Sequence, residues 1–167
     1  MELVKSSTNE CNKRRKRVIL TGIIWLISCT WGSLLSFFGI IVMFFLMCKG
    51  YKPKWYMGFV YFEVGKSWGG INLGPVFVVN KSASEHILKH ELGHGIQNMV
   101  YGWLMPFLVA IPSVTRAWWR KRICATDYAR YTKLPEYEDV WFERQATKWG
   151  YRFCEKMVRK IELLKKI

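Results

Sequence analysis

A long uncharged run constrains this chain more than any other feature. Residues 18–48 contain no Asp, Glu, Lys or Arg, and residues 13–17 directly before them are all basic. The run exceeds the ~20 residues that a membrane-spanning helix needs, but it is too short for two full spans. It is also longer than the apolar region of a secretory signal peptide. We therefore expect a transmembrane segment that is retained in the mature protein. We favour one tilted helix; the alternative is a shallow hairpin that bends at Gly32 and Ser33.

The net charge narrows the class of partner. Lys and Arg number 26 against 12 Asp and Glu, which gives a formal charge of +14. Such a bias suits anionic lipid or nucleic acid. Because the basic residues flank apolar segments, we predict membrane lipid as a partner and expect no nucleic acid. The five cysteines show no Cys-x-x-Cys spacing, which argues against a thiolate zinc site and favours a reducing compartment.

The chain divides into three predicted parts. Residues 1–17 form a basic polar tail, residues 18–48 the transmembrane segment, and residues 49–167 a small folded domain. Within the domain, residues 57–64 and 75–79 are rich in β-branched and aromatic side chains and are bounded by glycine or proline. This composition predicts two short strands, in a hairpin or a small sheet.

A helix follows the strands. Ser82-x-x-Glu85 is a capping-box pattern, so we predict a helix that starts near Ala83 and ends at Gly102. Residues 103–119 are then mostly apolar and run into a border of tryptophan and basic side chains. Such a border is typical of the head-group region, so we expect this segment to contact the membrane.

Apolar side chains recur at three- and four-residue steps from Glu136 to Ile167 and predict a C-terminal helix, which Gly150 interrupts. Together with the short strands, these helices indicate an α+β fold that is mainly helical.

The chemistry is concentrated in residues 84–95, which contain all three histidines. His90 and His94 enclose Glu91 in an H-E-x-x-H motif, in which two imidazoles one helical turn apart bind a metal and the glutamate transfers protons. We therefore predict Zn²⁺ as the cofactor, with Glu91 as the general base. His86 lies one turn earlier and is separated from His94 by about two turns. We therefore expect His86 either to support a metal ligand without binding the metal itself or to face solvent.

Catalytic zinc typically takes three protein ligands. Glu143 is the candidate for the third, because the small Ala146 on the same predicted helix would allow close approach to the motif helix. Asp139, one turn earlier, is its rival. Either Tyr128 or Tyr137 could stabilise the oxyanion of the reaction.

The chain resembles a group of small bacterial membrane proteins that carry zinc-metallopeptidase motifs. The resemblance rests on four blocks, residues 69–75, 90–97, 110–113 and 137–150, the last with a Trp-Phe-Glu-x-x-Ala core. It implies a zincin-like domain with a gluzincin-like site, in which His90, His94 and Glu143 bind zinc and Glu91 is catalytic. It also implies the bacterial cell membrane as the location, and the basic flank predicts that the active-site domain faces the cytoplasm.

We therefore expect a membrane-anchored zinc metalloendopeptidase that acts on proteins or peptides. One alternative is a non-catalytic membrane protein that the metal stabilises. The other is an intramembrane peptidase similar to site-2 proteases, which share His-Glu-Leu-Gly-His. Their third ligand is an aspartate in an Asp-Gly motif, and no Asp-Gly follows His94.

Overall fold

The computed structural model describes residues 2–66 and 68–163, with side chains described for residues 14–66 and 68–160. The α-helices are α1 (Glu2–Thr30), α2 (Ser33–Cys48), α3 (Glu85–Tyr101), α4 (Ile111–Thr126), α5 (Tyr128–Tyr131) and α6 (Trp141–Leu163). The strands are β1 (Lys54–Tyr56), β2 (Phe59–Glu63), β3 (Gly70–Leu73) and β4 (Val76–Val79). Short 3₁₀ segments span Gly102–Leu104 and Tyr137–Asp139, and a π-helix spans Pro106–Ala110. The predicted α+β, mainly helical class is confirmed.

The long uncharged run does not form the single helix that we preferred. α1 already begins at Glu2, so the basic tail is helical, and α1 is separated from α2 by a turn at Trp31 and Gly32 with a bend of 112°. Contacts with α3 fix the position of this bend. The Trp31 indole donates to the Val100 carbonyl at 3.2 Å, and a Cβ on Gly32 would collide with the Asn98 amide. The break thus falls close to the predicted alternative at Gly32 and Ser33.

Among the residues that the structure describes, no single helix has the length and apolar content of a membrane span. Two bent pairs reach that length and composition together. Arg14–Thr30 with Ser33–Cys48 is the first, and Glu85–Leu104 with Pro106–Thr126, bent by 119°, is the second. The segment 103–119, for which we expected membrane contact, lies at and after the second bend.

Four strands form one sheet in the order β1-β2-β4-β3, in which β2 and β4 are parallel and the other pairs antiparallel. The two predicted strands correspond to β2 and β4, while β1 and β3 were not predicted. Both faces of the sheet are covered: Phe77 and Val79 pack in a cluster with residues of α1, α3 and α6, whereas Val76 and Val78 pack against α2. Burial on both faces explains why β4 is apolar at every position.

The motif helix α3 begins later than its sequence predicts. Ser84 is the N-cap residue, and its hydroxyl accepts from the Ile87 amide at 3.4 Å. The predicted cap Ser82 lies in the preceding turn, where its amide donates to the Asn80 side chain at 2.7 Å. The predicted end is confirmed, since α3 stops at Tyr101 and Gly102 adopts a positive φ of 57°.

α6 begins at Trp141 and passes through Gly150 without interruption, so both its predicted start and its predicted break are wrong. A Cβ at Gly150 would collide with the Lys89 carbonyl of α3. The glycine therefore serves close helix packing and does not end a helix. Residues 164–167 of the predicted helix lie outside the described residues.

Candidate metal centre

The crossing of α3 and α6 builds the site. A Cβ on Gly93 of α3 would collide with the Ala146 carbonyl of α6, just as one on Gly150 would collide with the Lys89 carbonyl. The two backbones can approach this closely only because both crossing positions are glycine. Glu143 lies one turn before Ala146, so the crossing directs its fully buried carboxylate toward the histidines of α3.

Three ligand atoms converge at this crossing. The distance from Glu143 Oε2 to His90 Nε2 is 3.1 Å and to His94 Nε2 is 3.2 Å, while the two Nε2 atoms are 3.1 Å apart. Ligands of a tetrahedral ion bound at 2.0–2.1 Å would be separated by about 3.3 Å. The three atoms thus have the spacing of one face of a tetrahedral site, and this group could hold a metal ion.

A hydrogen-bond chain fixes the tautomer of His90. The Thr147 hydroxyl donates its single proton to Glu138 Oε2 at 2.9 Å, and the same oxygen lies 2.8 Å from His90 Nδ1. Thr147 must therefore accept from the Nδ1–H group, which leaves the lone pair on His90 Nε2.

Gln97 fixes the tautomer of His94 in the same way. Its amide nitrogen donates to the Phe142 carbonyl at 2.8 Å and to Gln145 Oε1 at 2.9 Å, which identifies the other amide atom as the oxygen. That oxygen lies 2.8 Å from His94 Nδ1 and accepts its proton. His94 Nε2 therefore also presents a lone pair, and partners of this kind are usual for metal-binding histidines.

The resulting arrangement requires a positive charge at its centre. Two imidazole lone pairs and one carboxylate converge within hydrogen-bond distance, and none of the three contributes a proton to the others. Glu143 Oε1 and Glu91 Oε2 are also buried and have no hydrogen-bond partner. A bound cation would satisfy this set of acceptors, so the residues present fit a metal ion.

The pKa shifts of Glu143 and His94 also indicate that the site requires a positive charge. Without a cation, burial opposes ionisation of Glu143, but hydrogen bonds that His90 and His94 would then donate from Nε2 outweigh it and hold the pKa of this carboxyl well below its usual range. Burial lowers the pKa of His94, but the adjacent Glu143 carboxylate outweighs this effect and raises it. Without a metal, the site would thus draw in a proton instead.

Glu91 lies beside the three ligands and against the edge of the sheet. Its side chain is buried, and burial raises its pKa, although His94 and His90 partly offset the effect. β3 is the outermost strand of the sheet on this side, and a Cβ on Gly70 would collide with the Glu91 carboxylate. The Asn72 amide donates to the Glu91 carbonyl at 2.9 Å and fixes β3 to α3.

The structure separates the other candidates from the three ligands. Asp139 is exposed and pairs with Arg144 at 3.1 Å. His86 bonds to Glu138 at 2.7 Å and to Tyr151 at 3.1 Å. Neither belongs to the group of ligand atoms that converge with Glu143.

The two candidate tyrosines, Tyr128 and Tyr137, differ in their position relative to the three ligands. Tyr128 is exposed on α5, whereas Tyr137 is half-buried with its hydroxyl 3.1 Å from Ser113 Oγ. Burial raises the pKa of Tyr137 to about 12, and the nearby Glu143 carboxylate adds to this increase. Tyr137 is thus the tyrosine that lies next to the site.

Two residues that support the site were not predicted for that role, Gln97 and Thr147. Gln97 lies three residues after His94, and this spacing on one helix could have indicated it. Thr147 bonds to the site across the α3–α6 crossing, and no sequence pattern indicates such a contact.

Comparison with known proteins adds no family assignment. The chain matches no family model, and neither the curated proteins nor the solved structures give a match.

Proposed function

We propose that this protein is a membrane-anchored zinc metallopeptidase that hydrolyses peptide bonds in protein or peptide substrates. The observation that carries the proposal is the convergence of His90, His94 and Glu143 beside a buried glutamate, Glu91, with a free carboxylate oxygen. Two imidazoles and one carboxylate form a ligand set that catalytic zinc uses in peptidases. Lone pairs on both Nε2 atoms also suit zinc.

Zinc in such a site supplies a Lewis acid and lowers the pKa of water toward ~7. Glu91 takes a proton from the attacking water while the new C–O bond forms. It then gives that proton to the amine nitrogen as the C–N bond breaks. Burial, which raises the pKa of Glu91, makes this carboxylate more basic than one in water. Tyr137 is the better placed of the two tyrosines to donate a hydrogen bond to the oxyanion.

The free edge of β3 supports binding of an extended peptide. A substrate strand that pairs with β3 would run past Gly70, directly beside the carboxylate of Glu91. Backbone pairing of this kind gives affinity without strong dependence on sequence. Glycine at this position leaves room for Glu91, because any larger residue would collide with its carboxylate.

Metal analysis of the purified full chain tests the ligand assignment. We expect about one zinc per chain, loss of zinc in His94→Ala and Glu143→Ala, and retention in Asp139→Ala, the matched acidic control on the same segment. Full zinc content in Glu143→Ala would overturn the assignment of this ligand.

Turnover of an unfolded, fluorescently labelled protein tests catalysis. Glu91→Gln keeps the shape of the side chain and leaves the three ligands in place, so we expect zinc to remain and cleavage to fall at least 100-fold. Equal cleavage by Glu91→Gln and by the wild type would exclude the proposed role of Glu91.

A second candidate function is favoured by burial. His90 is only 12% exposed and Glu143 is fully buried, so a metal here could serve to join α3 to α6 in a protein without catalysis. This alternative predicts that Glu91→Gln leaves zinc content, thermal stability and every cellular phenotype unchanged. The same variant therefore separates the two functions.

A further inference from the structure

The exposed apolar side chains are concentrated in two segments. Among the residues whose side chains the structure describes, 26 large apolar and aromatic ones are exposed, and 21 of these lie between residues 18 and 47 or between residues 100 and 119. These segments are the two bent helix pairs at and around their bends. α2 illustrates the pattern, because it buries Leu35 and Leu46 in the core while Phe37 and Phe44 on its other side are exposed. A helix that is apolar on all sides requires an apolar environment on its outer side as well.

The two bends meet at one point of the molecule. Trp31 at the first bend and Trp103 at the second pack edge to face with ring centroids 6.3 Å apart. The indole of Trp31 also lies against Gly102, where a Cβ would collide with the ring and where φ is positive. Glycine at residue 102 therefore allows the second bend to pack directly on the first. We call this exposed apex, made of Trp31, Leu34, Trp103, Leu104 and Phe107, the wedge.

Polar groups directly behind the wedge are bonded to each other. The Asn98 amide reaches Ser36 Oγ at 3.3 Å and the Gly32 carbonyl at 3.5 Å, and the Ser36 hydroxyl donates to the Ser28 carbonyl at 2.7 Å. These bonds tie α1 and α2 to α3 below the apex. The outer surface of the wedge is left to indole, phenyl and aliphatic groups.

Basic side chains lie at both ends of the first bent pair and near the C-terminal end of the second, away from the wedge. Residues 14–17 are exposed at the start of the first pair, and Lys49 is exposed just after its end. On the second pair, Lys121 and Arg122 are exposed near the end of α4. Each bend exceeds 110°, so the flanks of each pair turn back from the apex toward the same side. Charge of this sign complements anionic head groups.

The dimensions match one leaflet. The 16 residues of α2 span about 24 Å, and the apolar part of α1 spans about 20 Å. With the 112° bend, both arms descend roughly 15–20 Å from their flanks to the apex. Half of a hydrocarbon core is about 15 Å thick.

From these observations we infer that the wedge enters a single leaflet of an anionic bilayer, with the basic flanks of both helix pairs at the same membrane surface. The inference rests on the membrane association proposed above and replaces a crossing anchor with insertion from one side. Acyl chains contact the wedge, and anionic head groups contact the flanks.

The inference is tested in the full chain by measuring which side of the membrane each flank of the first bent pair faces. Native Cys48 lies at the end of the first bent pair and is exposed, and Lys16→Cys would place a second thiol at its start. Each is tested as the only reactive cysteine, with Cys11, Cys29 and Cys124 replaced by serine, Cys48 also replaced by serine in the Lys16→Cys variant, and buried Cys154 kept. In sealed vesicles, an impermeant maleimide should label both positions from the same side. Labelling from opposite sides would overturn the inference in favour of a crossing helix.

The depth of Cys29 and Cys48 in the bilayer provides the second measurement. Cys29 lies two residues before the bend and Cys48 beside a lysine, and both are exposed. In vesicles of phosphatidylglycerol and phosphatidylethanolamine, bimane on Cys29 should be quenched at least threefold more by lipids brominated deep in the acyl chain than bimane on Cys48. Equal quenching at the two positions, or no lipid quenching at Cys29 because a second copy covers this face, would contradict insertion.

A matched pair of tryptophans tests the wedge itself. Trp103 on the wedge is 63% exposed and Trp55 on β1 is 62% exposed. Trp103→Glu should lower deep quenching at Cys29 at least twofold, while Trp55→Glu should leave it unchanged; the same response to both would overturn the wedge. Zinc content and Glu91-dependent cleavage in detergent do not depend on these readouts. A failure of the wedge and a failure of the proposed catalysis are therefore distinguishable.

Discussion

The two ends of the stretch 90–103, which runs from the middle of α3 to just past its C-terminus, lie in opposite environments. Near its start, His90, Glu91 and His94 are polar side chains enclosed by α6 and the sheet. At its end and just beyond, Val100 and Trp103 are apolar side chains that are more than half exposed. α3 and the short segment after it thus bury these three polar side chains and expose these two apolar ones, the reverse of the usual arrangement in a soluble domain.

This difference teaches what each end depends on. The structure of the buried end depends on electrostatics, because converging hydrogen-bond acceptors in a buried site require a cation and a complete set of partners. The exposed end depends on its surroundings, because a large apolar patch is stable only against another apolar surface. The following predictions separate the two ends, from the largest expected effect to the smallest.

Removal of the metal should have the largest effect, and only at the buried end. A chelator leaves the two Nε2 lone pairs and the Glu143 carboxylate facing each other. We expect the free energy of unfolding to fall by about 4 kcal/mol for zinc present at about 1,000 times its Kd. Thermal unfolding followed by circular dichroism in detergent would measure this, with zinc added back as the control. An unchanged midpoint would mean that no metal supports the crossing.

Gly93→Ala should destabilise the crossing nearly as much. The new methyl group would overlap the Ala146 carbonyl of α6, and overpacking on this scale costs about 3 kcal/mol. We expect loss of bound zinc together with a lower unfolding midpoint. Gly22→Ala on α1 is the control, because a Cβ there would meet nothing within 4 Å. Equal zinc content in both variants would show that the crossing tolerates a wider separation.

Thr147→Val should weaken metal binding without disrupting the fold. Valine keeps the shape of threonine but removes the oxygen that accepts from His90 Nδ1 and donates to Glu138. Loss of such a partner typically lowers metal affinity 10–100-fold, and we expect about tenfold in a competition titration with a chromophoric chelator. Thr126→Val removes only an exposed bond within α4 and should leave affinity unchanged. If the two variants behave alike, Thr147 does not orient His90.

Trp103→Ser should have the smallest effect on the buried end. The indole is mostly exposed, so its removal should change the free energy of unfolding in detergent by no more than about 0.5 kcal/mol. Zinc content should stay at the wild-type level. A loss of zinc on this substitution would show that the two ends of α3 are coupled, against the separation described above.

The sequence predicted most of the site and part of the fold. H-E-x-x-H on a helix indicated His90 and His94, because spacing on a helix determines which side chains share a face. A glutamate three residues before a small alanine indicated Glu143 but left Asp139 as a rival, and the structure brings Glu143 to the two histidines. Thr147 was not predicted for its role, because its contact with His90 depends on side-chain orientation across the crossing. Gln97 was not predicted either, although its i, i+3 spacing from His94 on one helix could have indicated it. β1 and β3 were also not predicted, since these short strands lack the run of β-branched residues that marks the equally short β4.

The bend at Trp31 shows a different limit. Periodicity in an uncharged run cannot place a break, because every residue is compatible with the same helix. The break is set by partners distant in sequence, Val100 and Asn98, which hold Trp31 and Gly32. The Gly150 error has the same origin, since a glycine inside a helix can serve either a helix end or a close crossing.

The length of α3 also sets the distance between the metal centre and the second bend. Gly102 lies eight residues after His94, so the helix holds the metal centre about 12 Å from its own C-terminal end, close to the bend. If the bend is held at a fixed depth, the metal centre also lies at a fixed position along the membrane normal, and the proposed peptidase would select its cleavage point by that position more than by amino-acid sequence. Insertion of one helical turn after His94 would move that cleavage point by about 5 Å along the substrate.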